Sequence, residues 1–337
     1  MKKQAKAPSQ STIALLKKEL MTIALRTYER KLTAGTGGNI SVRLDDKRFL
    51  ISGSGSSLGF MKPADVLTVT MRGRVISGSK VPSSETPVHA AIYERLRPAA
   101  ILHSHPPIAS ALALAPIPFS PLTFEPYIVL GDVPVIPQQS FNIIDVDPVV
   151  ESLGSNKVVI LQHHGVIAIG NTLQEAYLLT DLLEASAHAI AIGRSLGAIK
   201  PLPSVSSKTR RRLAKKTGLF SQSYNKLLCE AVNGNSDMTK MGRSFDFTTT
   251  VGFSITERKK RWCFSINQGR MRFDAAIKSP EFLFAGPSDM WERIFSGRVS
   301  FLVALFQNRI SMHGDTRRFS AWYLPFQCLF ENIPFPR

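Results

Sequence analysis

The sequence predicts two mixed units in one chain: an α/β unit of helices around a sheet in residues 11–200, and a smaller α+β unit in residues 221–335. Three observations carry this. A chain of 337 residues is long enough for two separate cores. Amphipathic helical patterns alternate with short apolar, strand-like runs through the first 200 residues. A basic linker rich in Pro and Ser at residues 201–220 then breaks the pattern, and a different one follows.

The elements follow in order. Between Ser11 and Lys31, Ile13, Leu16, Leu20 and Ile23 recur at helical spacing. "GTGGNISVRL" breaks that helix with glycine and enters a strand. "RFLISGSG" is a second strand with a flexible turn, and "DVLTVTMRGRVISG" reads as two strands around an Arg-Gly turn. Ser84 is placed to cap a helix from Glu85 to about Arg97, with Pro87 tolerated in its first turn. "AAILHSH" is a strand ended by Pro106-Pro107, after which "IASALALA" returns to helix. "KVVILQHHGVIAIG" is apolar enough for one buried strand. The long helix after it has Thr172 as its cap and Gly197 as its stop.

Past the linker and its "KTRRRLAKK" run, a short helix is expected at "SYNKLLCEAV". "FTTTVGFSIT" and "RWCFSINQGRMRFDAAI" alternate as a β-meander with Gly269 in a turn. "MWERIFSGRVSFLVALFQNRISMHGD" returns to helix, with Trp291, Phe295, Leu302 and Phe306 on its apolar face.

Composition bounds the function. With 44% hydrophobic and 20% charged residues, the chain is globular and not disordered. It has no apolar run long enough to span a membrane. The basic start "MKKQAKAPSQS" leads into a charged helical pattern, so no signal peptide is expected. Cys229, Cys263 and Cys328 form no CxxC pair, which points to a reducing cytoplasm. Of the net charge of +17, residues 206–337 supply 22 basic against 10 acidic groups. A basic half of this kind suits anionic substrates, anionic membranes or nucleic acid, or serves solubility alone. Only charge supports nucleic-acid binding through "KTRRRLAKK", and none is expected.

Chemistry concentrates in the first unit. On a strand, residues i and i+2 share a face, so His103 and His105 in "ILHSHPP" project together. Two imidazoles and a third ligand suit zinc or another first-row divalent metal. In "LQHHGV", neighbours on a strand face opposite ways, so only one of His163 and His164 joins the pair. His89 and His188 are expected to be packed or partly exposed on helices. Glu85, at a helix start, is either a charge complement to the helix dipole or a general acid/base beside the metal. "TAGTGGNIS", "SGSG" at Ser52–Gly55 and the Ser83-Ser84 pair offer backbone N–H groups and hydroxyls for an anion.

Together, "GTGGNISVR", "LISGSG", "SSETPVHAAIY", "ILHSHPP" and "LQHHGVIAIGNTLQEAYLLTDLLEASAHA" resemble the class II aldolase/adducin family, closest to its sugar-phosphate aldolases of the L-fuculose-phosphate type. The resemblance spans residues 11–200, with all five motifs in order. It implies a three-layer α/β/α sandwich on a largely antiparallel sheet, and a catalytic zinc or other divalent metal on His103, His105 and His164. It implies Glu85 as the acid/base and Tyr127 as proton donor to the leaving aldehyde oxygen. The substrate phosphate would sit on Thr36, Gly38, Asn39, Ser54, Gly55, Ser83 and Ser84. The implied chemistry is C–C bond cleavage or formation through a metal-stabilised enediolate, in a homo-oligomer, commonly a tetramer. Epimerases, dehydratases and decarboxylases use the same constellation, and adducin-type relatives lack the metal.

The second unit resembles the sterol carrier protein type 2 domain. "VGFSI", "RWCFSINQGRMRF", Gly297 and "RISMHGD" carry the likeness. It implies a five-stranded sheet covered by helices, with an apolar tunnel for a lipid or other apolar ligand. A non-catalytic lipid-binding or scaffold protein is therefore the competing reading.

Overall fold

The structure, a computed structural model, describes residues 8–115, 119–140, 143, 145–199, 220–258, 260–295 and 299–331. The linker at 201–219 with its basic run, Gly297 and the last residues of the chain lie outside them. The chain divides into two compact units, Met1–Lys200 and Pro201–Arg337.

Eight strands form the sheet of the first unit: β1 (Asn39–Arg43), β2 (Arg48–Ser52), β3 (Val66–Thr70), β4 (Val75–Ser77), β5 (Ala100–Ser104), β6 (Val135–Ile136), β7 (Val158–Leu161) and β8 (Gly165–Gly170). Their order is β4-β3-β2-β1-β5-β8-β7-β6, antiparallel throughout except for β6 with β7. The helices are α1 (Gln10–Glu29), α2 (Thr86–Leu96), α3 (Pro107–Leu112), α4 (Phe124–Leu130), α5 (Asp147–Ser155) and α6 (Leu173–Ser195).

Alternation along the strands builds two cores. Ile40, Val42, Leu102, Val166 and Ala168 turn to one face, under α1 and α6, where Leu20, Ile23, Leu179 and Leu183 meet them. Phe49, Ile51, Ile101, Ile167 and Ile169 turn to the other, under α2 and α5, against Val88, Ile92, Val149 and Leu153. The central strands are buried on both sides, which is why they read as continuous apolar runs. The result is the three-layer α/β/α sandwich.

Several local expectations change. Ser84 does not cap α2. The cap position is Glu85, without a side-chain bond there, and the Ser83 hydroxyl accepts the Glu85 N–H at 3.3 Å. "KVVILQHHGVIAIG" is not one strand but a tight hairpin, β7–β8, turning at Gln162–His164. Thr172 does cap α6, its hydroxyl accepting from Glu175 N at 3.0 Å.

The second unit carries β9 (Thr249–Ile255), β10 (Lys260–Asn267), β11 (Arg270–Phe273), β12 (Phe282–Gly286) and β13 (Ser311–His313) in the order β11-β10-β9-β12-β13. The β10–β11 turn holds Gln268 and Gly269 at positive φ, as the meander requires. The helices are α7 (Gln222–Asn233), α8 (Ser236–Ser244), α9 (Ser288–Phe295), α10 (Phe301–Phe306), α11 (Thr316–Ala321) and α12 (Tyr323–Glu331). The region read as continuous helix to residue 315 instead splits into α9, α10 and β13, with Asn308 at φ 55° between α10 and the strand. Phe253, Phe264, Phe284, Trp291 and Phe295 fill its interior, each at most 1% exposed and in ring-to-ring contact.

Gly38 fixes how the chain enters β1. It has φ 76°, and a Cβ there would lie 2.7 Å from the His103 carbonyl oxygen. Gly38→Ala is therefore expected to destabilise the first unit by about 1–3 kcal/mol. Denaturant unfolding checks this, and an unchanged midpoint contradicts the packing described.

Candidate active site

Three elements bring the histidines together. His103 lies near the end of β5, and His105 follows one residue beyond the strand. Their Nε2 atoms are 3.0 Å apart. His164 comes from the β7–β8 turn, with its ring centroid 4.8 Å from that of His103 and 5.5 Å from that of His105. One ring nitrogen from each falls within 4.8 Å of the others. His163 is exposed in the left-handed region at φ 63°. The hairpin turn, not strand alternation, thus separates the two neighbours.

Glycine makes room for this convergence. A Cβ at Gly165 would lie 2.5 Å from both His105 Cδ2 and the Ser104 carbonyl oxygen. The "HHG" signature is therefore steric: the backbone after the turn passes against the second histidine.

The donor set fits a divalent metal. His103 Nδ1 lies 3.0 Å from the Val166 carbonyl oxygen. A carbonyl only accepts, so Nδ1 carries the hydrogen and Nε2 presents a lone pair. Burial, then the neighbouring His105 and His164, hold His103 well below the usual imidazole pKa. Burial and His164 lower His105 as well. Neutral imidazole is the ligating form. Donors on a tetrahedral zinc sit about 3.3 Å apart, so the observed spacing suits coordination.

Glu85 completes the cluster. Its Oε1 is 3.3 Å from His164 Nε2 and its Oε2 is 3.5 Å from His103 Nε2. Asn39 Nδ2 donates to Oε2 at 2.9 Å. The glutamate is only 7% exposed. Burying a carboxylate costs several kcal/mol, whereas one amide donor returns about 1.5–3 kcal/mol. A cation held among these groups would offset the remainder.

A polar ladder holds Glu85 in place. Four helix residues rise about 6 Å, and two strand residues about 6.7 Å. A helix lying along a strand can therefore match i, i+4, i+8 to alternate strand positions. Glu85 meets Asn39, while His89 Nδ1 and the Tyr93 hydroxyl both meet the Ser41 hydroxyl, at 2.7 and 2.6 Å. His89 is fully buried, and burial lowers its pKa to about 4, so it is neutral near pH 7. Sequence reading assigned Asn39 to phosphate and gave Ser41 and Tyr93 no role. The i, i+4, i+8 spacing of Glu85, His89 and Tyr93 was the available signal.

The expected anion-binding groups fall in two places. Thr36 is exposed on the turn before β1, whereas Asn39 lies buried in the strand, its Nδ2 engaged by Glu85. Ser54, Gly55 and Ser84 are exposed, and Ser83 is buried. Residues 52–54 pair with 81–83 through Ser54 N to Val81 O at 2.8 Å and Ser83 N to Ser52 O at 3.3 Å. Tyr127 is half-buried on α4, an element that supplies none of the contacts above. In the second unit, two open surface clefts carry mixed linings, with Thr248, Ile266, Arg270 and Met271 in one and Lys226, Cys229, Met271 and Phe273 in the other.

Comparison with known proteins finds similarity for each unit. The family model for the class II aldolase and adducin N-terminal domain matches residues 18–191, and that for the SCP-2 sterol transfer family matches residues 228–321. An L-fuculose phosphate aldolase of Methanococcus vannielii is 33% identical over 169 residues, covering 50% of this chain and 91% of that protein. A 3-oxo-tetronate 4-phosphate decarboxylase of Haemophilus influenzae is 35% identical over 191 residues, covering 51% and 86%. The crystal structure of L-fuculose-1-phosphate aldolase from Thermus thermophilus superposes with a TM-score of 0.50 at 30% identity, over 54% of this chain and 97% of that one.

The ligand geometry makes a differential prediction. His103→Ala, His105→Ala and His164→Ala are each expected to lose most bound divalent metal, while His163→Ala keeps it. Elemental analysis of the purified variants checks this. Metal loss in His163→Ala equal to that in His164→Ala contradicts the assignment.

Proposed function

Since the chain belongs to the class II aldolase and adducin family, we propose that it is a metal-dependent lyase that cleaves or forms a C–C bond in a small phosphorylated hydroxy-carbonyl substrate. The observation that carries this is the convergence of His103, His105 and His164 with a buried, oriented carboxylate, Glu85. Relatives whose names specify sugar-phosphate aldolases support the substrate class.

His103, His105 and His164 would hold the metal, zinc being the ion best suited to an all-imidazole set. When bound, it supplies Lewis-acid stabilisation of negative charge on the substrate's oxygens. Glu85 takes or returns the proton at the reacting carbon. Its Oε2 is anchored by Asn39, which leaves Oε1 the freer proton carrier. The Val166 carbonyl fixes the His103 ring, so the ligand geometry does not depend on substrate. Thr36, Gly38, Ser54, Gly55, Ser83 and Ser84 form the anion-binding side. Binding energy gained there at a remote phosphate positions the reacting carbons.

A second reading shares this machinery. The decarboxylase relative suggests loss of carbon dioxide from a 3-oxo acid phosphate. Aldol cleavage requires the leaving carbon's hydroxyl to surrender a proton, the reverse of the proton donation to the aldehyde oxygen in condensation for which the family resemblance implies Tyr127. Decarboxylation has no such step. Tyr127→Phe should therefore slow an aldolase and spare a decarboxylase.

Glu85→Gln keeps the shape and the Asn39 contact but removes the base. In protein kept saturated with divalent metal, it is expected to lower kcat by about 10²–10⁴-fold, and, because the carboxylate charge favours a cation beside it, to weaken metal binding as well. Turnover of a sugar-phosphate panel, scored for aldehyde and for carbon dioxide, provides the assay. Near wild-type kcat in Glu85→Gln would rule out this role for the glutamate. An apolar ligand for the second unit and a homo-oligomeric assembly belong to the same proposal and rest on the family resemblances, and a cytoplasmic location rests on the three free cysteines.

A further inference from the structure

We infer that Lys80 is the cation that binds the substrate's phosphate, an assignment resting on the phosphorylated-substrate reading above. The neutral groups on the anion-binding side, Thr36, Ser54, Gly55, Ser83 and Ser84, carry no charge to match a phosphate dianion. The fold places Lys80 beside the Ser54–Gly55 part of this set. Pairing of residues 52–54 with 81–83, including the bridge between Gly53 and Pro82, sets Lys80 next to the Ser54–Ser56 turn and three residues before Ser83.

The side chain is anchored without being consumed. Its stem lies along Gly53, where a Cβ would come within 3.1 Å of Lys80 Cδ. Its ammonium sits 2.6 Å from Asp65 Oδ1 and donates to the Ser56 hydroxyl at 3.2 Å. An ammonium has three donors, so one remains. The side chain is 42% exposed, next to the turn that also exposes Ser54 and Gly55. Asp65 is itself well held: its Oδ2 accepts from Lys62 N at 2.7 Å, and Lys80 and that amide keep its carboxyl below the usual range. Asp65 thus fixes where the charge points.

Two roles for Lys80 differ in their consequences. If it only pins the loop to Asp65, breaking the pair from either side has the same effect. If it binds phosphate, removing Asp65 frees the ammonium and leaves or strengthens anion binding.

The test is calorimetric titration of the full-length, metal-loaded protein with inorganic phosphate. Lys80→Met is expected to weaken phosphate binding about 10- to 100-fold, the loss of one charge-assisted contact. Lys80→Arg should recover part of it. Asp65→Asn should bind phosphate at least as tightly as wild type, with a lower unfolding temperature. Lys80→Gln serves in place of Lys80→Met if the latter does not fold. Wild-type affinity in Lys80→Met, or an equal loss in Asp65→Asn, overturns the inference. A wild-type protein that turns over unphosphorylated substrates and binds no phosphate removes the underlying reading instead, and this proposal with it.

Discussion

The antiparallel pairing of β5 with β8 is the constraint on which the site depends. It pairs His103 with Ile167 and brings the neighbouring Val166 carbonyl against the His103 ring, which it fixes. It also carries the β7–β8 turn, with His164, to the end of β5, where the chain leaves through His105. One register therefore places two ligands and orients the first. A slip of one residue would send His103 to the opposite face and dissolve the cluster. Gly38 and Gly165 matter for the same reason, because each lets backbone approach this crossing more closely than a side chain allows.

Glu85 is positioned by a different contact, that of α2 with β1. Matched helix and strand spacings join Glu85, His89 and Tyr93 to Asn39 and Ser41 in an otherwise apolar layer. The histidines are thus set by strand pairing and the glutamate by helix docking. Two nearly independent devices meet at the distances of 3.3 and 3.5 Å between Glu85 and the rings. The buried carboxylate is costly alone and favourable beside a cation, which ties the local electrostatics to metal binding.

Much of this was legible in the sequence, for definable reasons. The His103/His105 pair follows from strand periodicity, and the helix begun by Thr172 from capping chemistry. The two-face burial of β5 and β8 shows as unbroken apolar runs. The β7–β8 hairpin was not legible, because a run apolar on both sides gives no alternation to mark its turn. Only the glycine after the two histidines hinted at it. Asn39 reads equally well as a turn residue or as a side-chain donor, and only the register with α2 decides. Lys80 lies in a stretch with no periodic signal, and its partners Asp65 and Ser56 are distant in sequence. In the second unit the meander was clear from alternation, but α10 and β13 were fused into one helix because Asn308 carries no strong breaker signal.

The central claim is that the three histidines serve carbon–carbon bond chemistry on a phosphorylated substrate through a bound divalent metal. The most direct measurement is C–C bond cleavage of sugar phosphates by the purified full-length protein before chelation, after it, and after metal is restored. Activity that disappears on chelation, returns with zinc or another divalent ion, and favours phosphorylated over unphosphorylated substrates is the predicted result. Cleavage that persists in fully metal-free protein would contradict it.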